Sequence, residues 1–173
     1  MDATLVLNLA TLAVSLTALA ISVFLTLRQI RLASGGLHLP VVLETFLHSR
    51  NPAWFKAQEY VLTMLAHEYQ AERGWRGLPE QARAQVNTIG LFYDDLGKLV
   101  AHGMIDQRLV IGSYGTNIVR LWDALAPYVY TERHNHAPLH FWIYFEDLAA
   151  RTAATPPETV YAGLGLRSRP PGK

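Results

Sequence analysis

The chain has 173 residues, half of them hydrophobic, and its 15 basic and 14 acidic side chains leave a net charge of +1. That balance excludes a strongly basic nucleic-acid surface and gives no field to steer acidic substrates. Cysteine is absent, which excludes disulfides, thiolate catalysis and cysteine-type zinc sites.

Residues 3–27 read ATLVLNLATLAVSLTALAISVFLTL and contain no Asp, Glu, Lys, Arg or His. A bilayer core about 30 Å thick needs roughly 20 apolar residues at about 1.5 Å rise each. The run therefore predicts a single transmembrane helix. Two readings compete with it. A helix of a soluble core would usually carry charge on one side. A cleaved secretory signal would begin with positive charge, whereas this chain begins Met1-Asp2, although Ala18-Leu19-Ala20 mimics a cleavage site. Arg28 and Arg31 follow the run directly. Basic flanks favour the cytoplasmic side. The expected address is the cell membrane, single-pass, with the N-terminus outside and the C-terminal domain cytoplasmic. Along the run, Thr4, Asn8, Thr11, Ser15, Ala18 and Ser22 recur at steps of four and three, which places them on one helix face. Small residues let helices approach closely in lipid, and Asn hydrogen-bonds across such contacts. Asn8, Thr11, Ser15 and Ser22 are thus candidates for a transmembrane association seam. The bland alternative is that the hydroxyls bond back to their own helix carbonyls.

The helix is expected to run on to Leu32 and to break at Gly35-Gly36, since glycine carries a high entropy cost in a helix. Residues 28–38 read as a juxtamembrane hinge, 39–152 as a helical bundle and 153–173 as a disordered tail. A short apolar piece covers 40–47. Asn51 is placed to cap a helix with Pro52 in its first turn, and that helix is predicted over 52–72. Gly74-Trp75-Arg76-Gly77 ends it. The next helix begins at Pro79 and reaches His102, with Ala82, Val86, Ile89, Tyr93, Leu96 and Val100 as its core face. Gly90 and Gly97 lie beside that face and would allow a close crossing by another helix. A short helix over 105–111, punctuation at Gly112 and Gly115, and a helix over 116–130 kinked at Pro127 come next. A polar loop over 131–138 and a last helix over 139–151 complete the domain. No strictly alternating strand pattern occurs. The fold class is all-α: one N-terminal transmembrane helix followed by a cytoplasmic bundle of about four to six helices.

Several short motifs follow one another: Phe92-Tyr93-Asp94-Asp95-Leu96-Gly97-Lys98-Leu99-Val100, Gly103-Met104-Ile105-Asp106, Trp122 with Pro127, and Tyr144-Phe145-Glu146-Asp147-Leu148-Ala149. In these the chain resembles the bacterial family called domain of unknown function 4760, over most of residues 1–150. The resemblance implies an N-terminal membrane span and a helical cytoplasmic part. It implies no activity and supplies no catalytic residues.

Few constellations offer chemistry. His134, His136 and His140 crowd one segment near Glu146 and Asp147. They are weak metal candidates, because Pro138 argues for a loop and the Glu-x-x-His pairs of helical metal sites are missing. Asp94-Asp95 could form an acid/base pair. At about 100° per residue, however, both point away from the Tyr93 face, and solvated surface with Asp94 paired to Lys98 is the stronger reading. Glu146 is a candidate buried polar residue that would meet Arg120 or Arg133. Trp75, between glycines, either folds back on the bundle or meets a partner. Arg167, Arg169 and Lys173 in the tail offer a weak lipid contact. No phosphate loop or nucleophile elbow is present. No cofactor is expected. The leading functional expectation is a membrane-anchored interaction module whose partners are the bilayer and either a second copy or another protein. The alternatives are an enzyme of unrecognised type near the His134–His140 loop and Glu146, and a small-ligand sensor.

Overall fold

A computed structural model describes residues 3–37, 47, 49–135 and 140–166, and in the first helix the side chains of 4, 8 and 11–26. The described residues form helices and turns, with no strand among them. Helix α1 spans Ala3–Leu37, α2 Pro52–Thr63, α3 Leu65–Glu68, α4 Glu80–Ala101, α5 Gln107–Asn135, α6 Ile143–Ala154 and α7 Pro157–Gly163; a 3-10 turn covers Ala71–Arg73. The chain divides into two compact units, Met1–Leu43 and Glu44–Lys173.

The first unit holds α1. Its 35 residues pass through Gly35-Gly36 without a break, so the expected hinge over 28–38 is helical as far as Leu37. Each glycine costs about 1 kcal/mol of helix propensity, which a long run of good helix formers outweighs. The described side chains of α1 are all exposed. They include Leu12, Leu16, Leu19, Ile21 and Phe24, each more than half exposed. Among the described residues no helix is long and apolar enough to cross a membrane. Residues 11–26 amount to about 24 Å of helix, against a hydrocarbon core of about 30 Å. The described side chains alone thus do not make up the expected transmembrane helix over 3–27.

In the second unit α4 is the central element. It packs on α2, α5 and above all α6. Its predicted face is buried as expected: Val86, Ile89 and Tyr93 are fully enclosed. Ile118, Leu121, Leu125 and Val129 of α5, and Phe145 and Leu148 of α6, are fully enclosed as well. Tyr93 stacks on Phe145 with ring centres 5.0 Å apart, and Trp54, Phe92, Tyr114 and Trp122 extend this aromatic core by edge contacts.

The predicted helix ends need four corrections. The helix expected over 52–72 begins as read, with Asn51 accepting from the Ala53 amide at 2.9 Å, but it stops at Thr63 and resumes as α3. The hydroxyl of Tyr128, reaching in from α5, donates to the Tyr69 carbonyl at 2.6 Å and the Leu65 carbonyl at 3.3 Å. It satisfies the Tyr69 carbonyl, which the helix end leaves open. The two helices expected over 105–111 and 116–130 are one helix, which also takes in much of the loop expected over 131–138. Gly115 is there for packing: a Cβ would lie 2.5 Å from the ring of Pro157. Pro127 removes the donor for the Asp123 carbonyl, but Asp123 and Pro127 are both exposed, where water can replace it. The last bundle helix starts at Ile143 rather than 139, because Trp142 takes a left-handed conformation with φ 53°. Finally, the tail expected to be disordered from 153 instead carries α7, which packs on α5 and buries Pro157 and Val160. The apolar piece over 40–47, apart from Leu47, lies outside the described residues, as do His136, Pro138 and the tail cations Arg167, Arg169 and Lys173.

Candidate functional site

The crossing of α4 and α6 fixes the geometry of everything around it. Gly90, Asp94 and Gly97 occupy one stripe of α4, four and three residues apart. A Cβ on Gly90 would meet the Trp142 indole at 2.2 Å, and one on Gly97 would meet the Tyr144 carbonyl oxygen at 2.2 Å. Between them Asp94 is buried, 7% exposed. Its Oδ1 accepts from the backbone amides of Tyr144 at 3.0 Å and Phe145 at 3.2 Å. Helix α6 has no side-chain cap of its own. Asp94 supplies one from a neighbouring helix, at the end where amides point outward and the helix dipole favours an anion. Its other oxygen lies 3.0 Å from Lys98 Nζ, which also meets Asp95 at 2.9 Å. Hydrogen bonds to Asp95 and then Asp94 push the Lys98 pKa up. The reading of Asp94 as solvated surface is therefore corrected, while its pairing with Lys98 stands.

Glu146 is partly exposed and meets Arg133, one of the two partners expected for it. Arg133 Nη1 donates to Oε2 at 2.6 Å, the Tyr130 hydroxyl donates to Oε1 at 2.7 Å, and Arg133 Nε donates to the Phe141 carbonyl at 2.9 Å. Burial alone would raise the Glu146 pKa. The hydrogen bonds from Arg133 and Tyr130, with the Arg133 charge, outweigh it and hold the carboxyl below its ordinary value of 4.5. A carboxylate depressed in the folded state stabilises fully above its unfolded pKa, and that stability is lost as pH falls through the folded value. Wild type is therefore expected to lose stability relative to Glu146→Gln between about pH 5 and pH 3. Parallel thermal melts across that range check it, and parallel pH curves for the two proteins would contradict it.

The residue that sequence reasoning missed is Glu132, which is 1% exposed. The backbone amide of Arg76 donates to its Oε2 at 2.9 Å, and Arg76 Nε lies 3.1 Å from Oε1, close enough for ion pairing yet not aligned to donate. Gly74, with φ 64°, brings the loop against it. Position 132 falls three residues after Val129 on the α5 core face, and that spacing was the available signal. Beside it Trp75 folds back on the bundle. Its Nε1 donates to Asn87 at 2.8 Å, Phe141 packs on one side at 5.5 Å, and the Arg83 guanidinium lies 5.5 Å from its ring centre.

Of the expected metal candidates, His134 and His140 are exposed, and no group of three metal-ligating side chains converges among the described residues. In the expected association seam, Ser15 Oγ donates to the Thr11 carbonyl at 2.9 Å; Thr17 and Thr26, outside the seam, bond back in the same way. Asn8, Thr11 and Ser22 are exposed.

A pocket of about 380 Å³ opens elsewhere, between α2, the end of α3 and the start of α4. Lys56 and Tyr60 line it from α2, Glu68 and Tyr69 from the α3 end, and Gln81 and Gln85 from α4. The Tyr60 hydroxyl donates to Glu68 Oε2 at 2.8 Å. Burial and the adjacent carboxylate push the Tyr60 phenol far above its usual range, so it stays a neutral donor. None of the histidines, nor Glu146, lines this pocket.

A family model described as a domain of unknown function (DUF4760) matches residues 16–152. No curated protein and no solved structure matches the chain.

Proposed function

Since the chain belongs to the DUF4760 family, whose description assigns no activity, we propose from its own physical chemistry that it is a single-span membrane protein. In this reading α1 anchors a helical interaction module to the bilayer. The observation that carries the reading is α1 itself. It is helical throughout 3–27, the sequence there holds no charge, and its described side chains are exposed on every face. A helix that is apolar all round is at home in a protein core or in lipid. Eight exposed large apolar side chains lie between Leu12 and Leu25. At about 1.5–3 kcal/mol each on burial, moving them out of water is worth on the order of 10 kcal/mol or more. Twenty-five residues give about 37 Å of helix, enough to cross the hydrocarbon core with some tilt.

Arg28 and Arg31 favour a cytoplasmic bundle and an external N-terminus. The bundle then presents its surface to a second copy or to another protein. Self-association through α1 would use Asn8, the one amide in the run, since the Ser15 hydroxyl is spent on its own helix. Glu146, on which the enzyme reading draws, is paired with Arg133 and accepts from the Tyr130 hydroxyl.

Alkaline carbonate extraction of cells expressing the full chain tests the anchor. The protein is expected to stay in the membrane pellet. Leu16→Arg, near the middle of the run, is expected to shift it into the supernatant, as an arginine at the bilayer centre costs about 2.5–3.5 kcal/mol. Release of the wild-type protein by carbonate would overturn the proposal.

A further inference from the structure

We infer that the pocket between α2, α3 and α4 binds a small zwitterion, a free amino acid or very short peptide, with its carboxylate toward Lys56 and its ammonium toward Glu68. This goes beyond the membrane reading and does not depend on it.

Three observations carry the inference. First, the pocket holds two opposite charges that do not meet: Lys56 and Glu68 both line it, yet neither forms an ion pair among the described residues. A ligand carrying both charges at a short separation satisfies both, whereas an anion alone would face Glu68 and a cation alone would face Lys56. Second, Glu68 is pre-oriented. Tyr60 holds its Oε2 at 2.8 Å, leaving Oε1 to accept from an ammonium, and charged hydrogen bonds of this kind are the strong ones. Tyr60 and Tyr69 also supply aromatic walls that suit a cation. Third, the frame is fixed. Trp54, Ala57 and Val61 of α2 are buried, and the Tyr128 hydroxyl pins the Tyr69 carbonyl at 2.6 Å. Gln81 and Gln85, one turn apart on α4, add amide donors and acceptors for a ligand side chain. The volume, about 380 Å³, lies within the usual range for small-molecule sites.

The test is isothermal titration calorimetry on the full chain in detergent micelles, with the common L-amino acids and glycylglycine as individual probes. At least one is expected to give saturable heat. Its N-acetyl derivative lacks the ammonium and its carboxamide lacks the carboxylate. Each is expected to bind at least about tenfold more weakly, the loss of one charged hydrogen bond. Lys56→Met is expected to weaken the parent probe by a similar factor and to leave the carboxamide unaffected. Glu68→Gln is expected to weaken the parent and leave the N-acetyl form unaffected. Lys56 and Glu68 are exposed, so both variants should keep wild-type circular dichroism. Absence of saturable heat from every probe up to about 10 mM, which places any Kd above about that concentration, would overturn the inference. So would blocked derivatives that bind as tightly as their parents.

Discussion

Asp94→Ala is expected to cost about 3 kcal/mol of folding stability, while Asp94→Asn costs about 1 kcal/mol. The difference follows from which atom does the capping. Both α6 amides, those of Tyr144 and Phe145, donate to the same oxygen, Oδ1. Alanine removes it and leaves two amides of the first turn of α6 without an acceptor, at about 1–3 kcal/mol for each buried donor. Asparagine keeps a carbonyl oxygen in that place and loses only the charge. The charge matters less, because Lys98 is 44% exposed and its pairing is screened by solvent. Urea denaturation of the full chain in detergent, followed by tryptophan fluorescence, reads both values. Trp142 is buried beside the crossing and reports its opening. An Asp94→Ala midpoint equal to that of wild type would show that α6 starts without this carboxylate.

Gly97→Ala is expected to destabilise by about 3 kcal/mol, at the upper end of the usual cost of overpacking. The new methyl would sit 2.2 Å from the Tyr144 carbonyl oxygen and 2.7 Å from its carbonyl carbon. These are backbone atoms, so α6 as a whole must move away, and the Asp94 cap lengthens with it. Gly90→Ala presses on the Trp142 indole instead. That ring is stacked on Phe141 at 4.6 Å and cannot swing freely, so about 2 kcal/mol is expected. Gly112→Ala is the control. Its methyl would find Val160 at 3.5 Å and Tyr161 at 3.7 Å, ordinary contacts, in a helix interior where alanine is favoured by roughly 0.5–1 kcal/mol. It should raise the midpoint in the same denaturation series. A loss at Gly112 as large as at Gly97 would mean that the close contacts of the crossing do not set these effects.

The same stripe explains how far the sequence could be read. The Tyr93 face of α4 is apolar at every helical step, and all of it is buried. Gly90 and Gly97 also read correctly as a close crossing. Asp94 reads as solvated only when α4 is given one buried face, because the carboxylate lies away from it. A helix at the centre of a bundle has two packed faces, and the second is built of small residues around one acceptor. Glu132 differs: it lies on the α5 core face, where its charge outweighs its position.

Helix ends were less legible because tertiary partners decide them. Tyr128 satisfies the Tyr69 carbonyl at the α3 end from another helix, and Pro157 fills the notch at Gly115. Gly115, which reads as a stop, is a site of close approach. Likewise α7 is too short to show a periodic face, yet it buries Pro157 and Val160. The zwitterion pocket has no sequence signature at all. Lys56 and Glu68 look like ordinary surface charges twelve residues apart, and only the fold lines one cavity with both.

The proposed membrane anchor is tested most directly by single-cysteine accessibility, for which the chain is suited because it contains no cysteine. Asp2→Cys and Glu158→Cys, at the start of the chain and on an exposed position of α7, are each treated in intact cells with a membrane-impermeant maleimide. The expected result is labelling at position 2 in intact cells and at position 158 only after permeabilisation. Equal accessibility of the two positions before permeabilisation, or protection of both, would contradict a single crossing with the bundle inside.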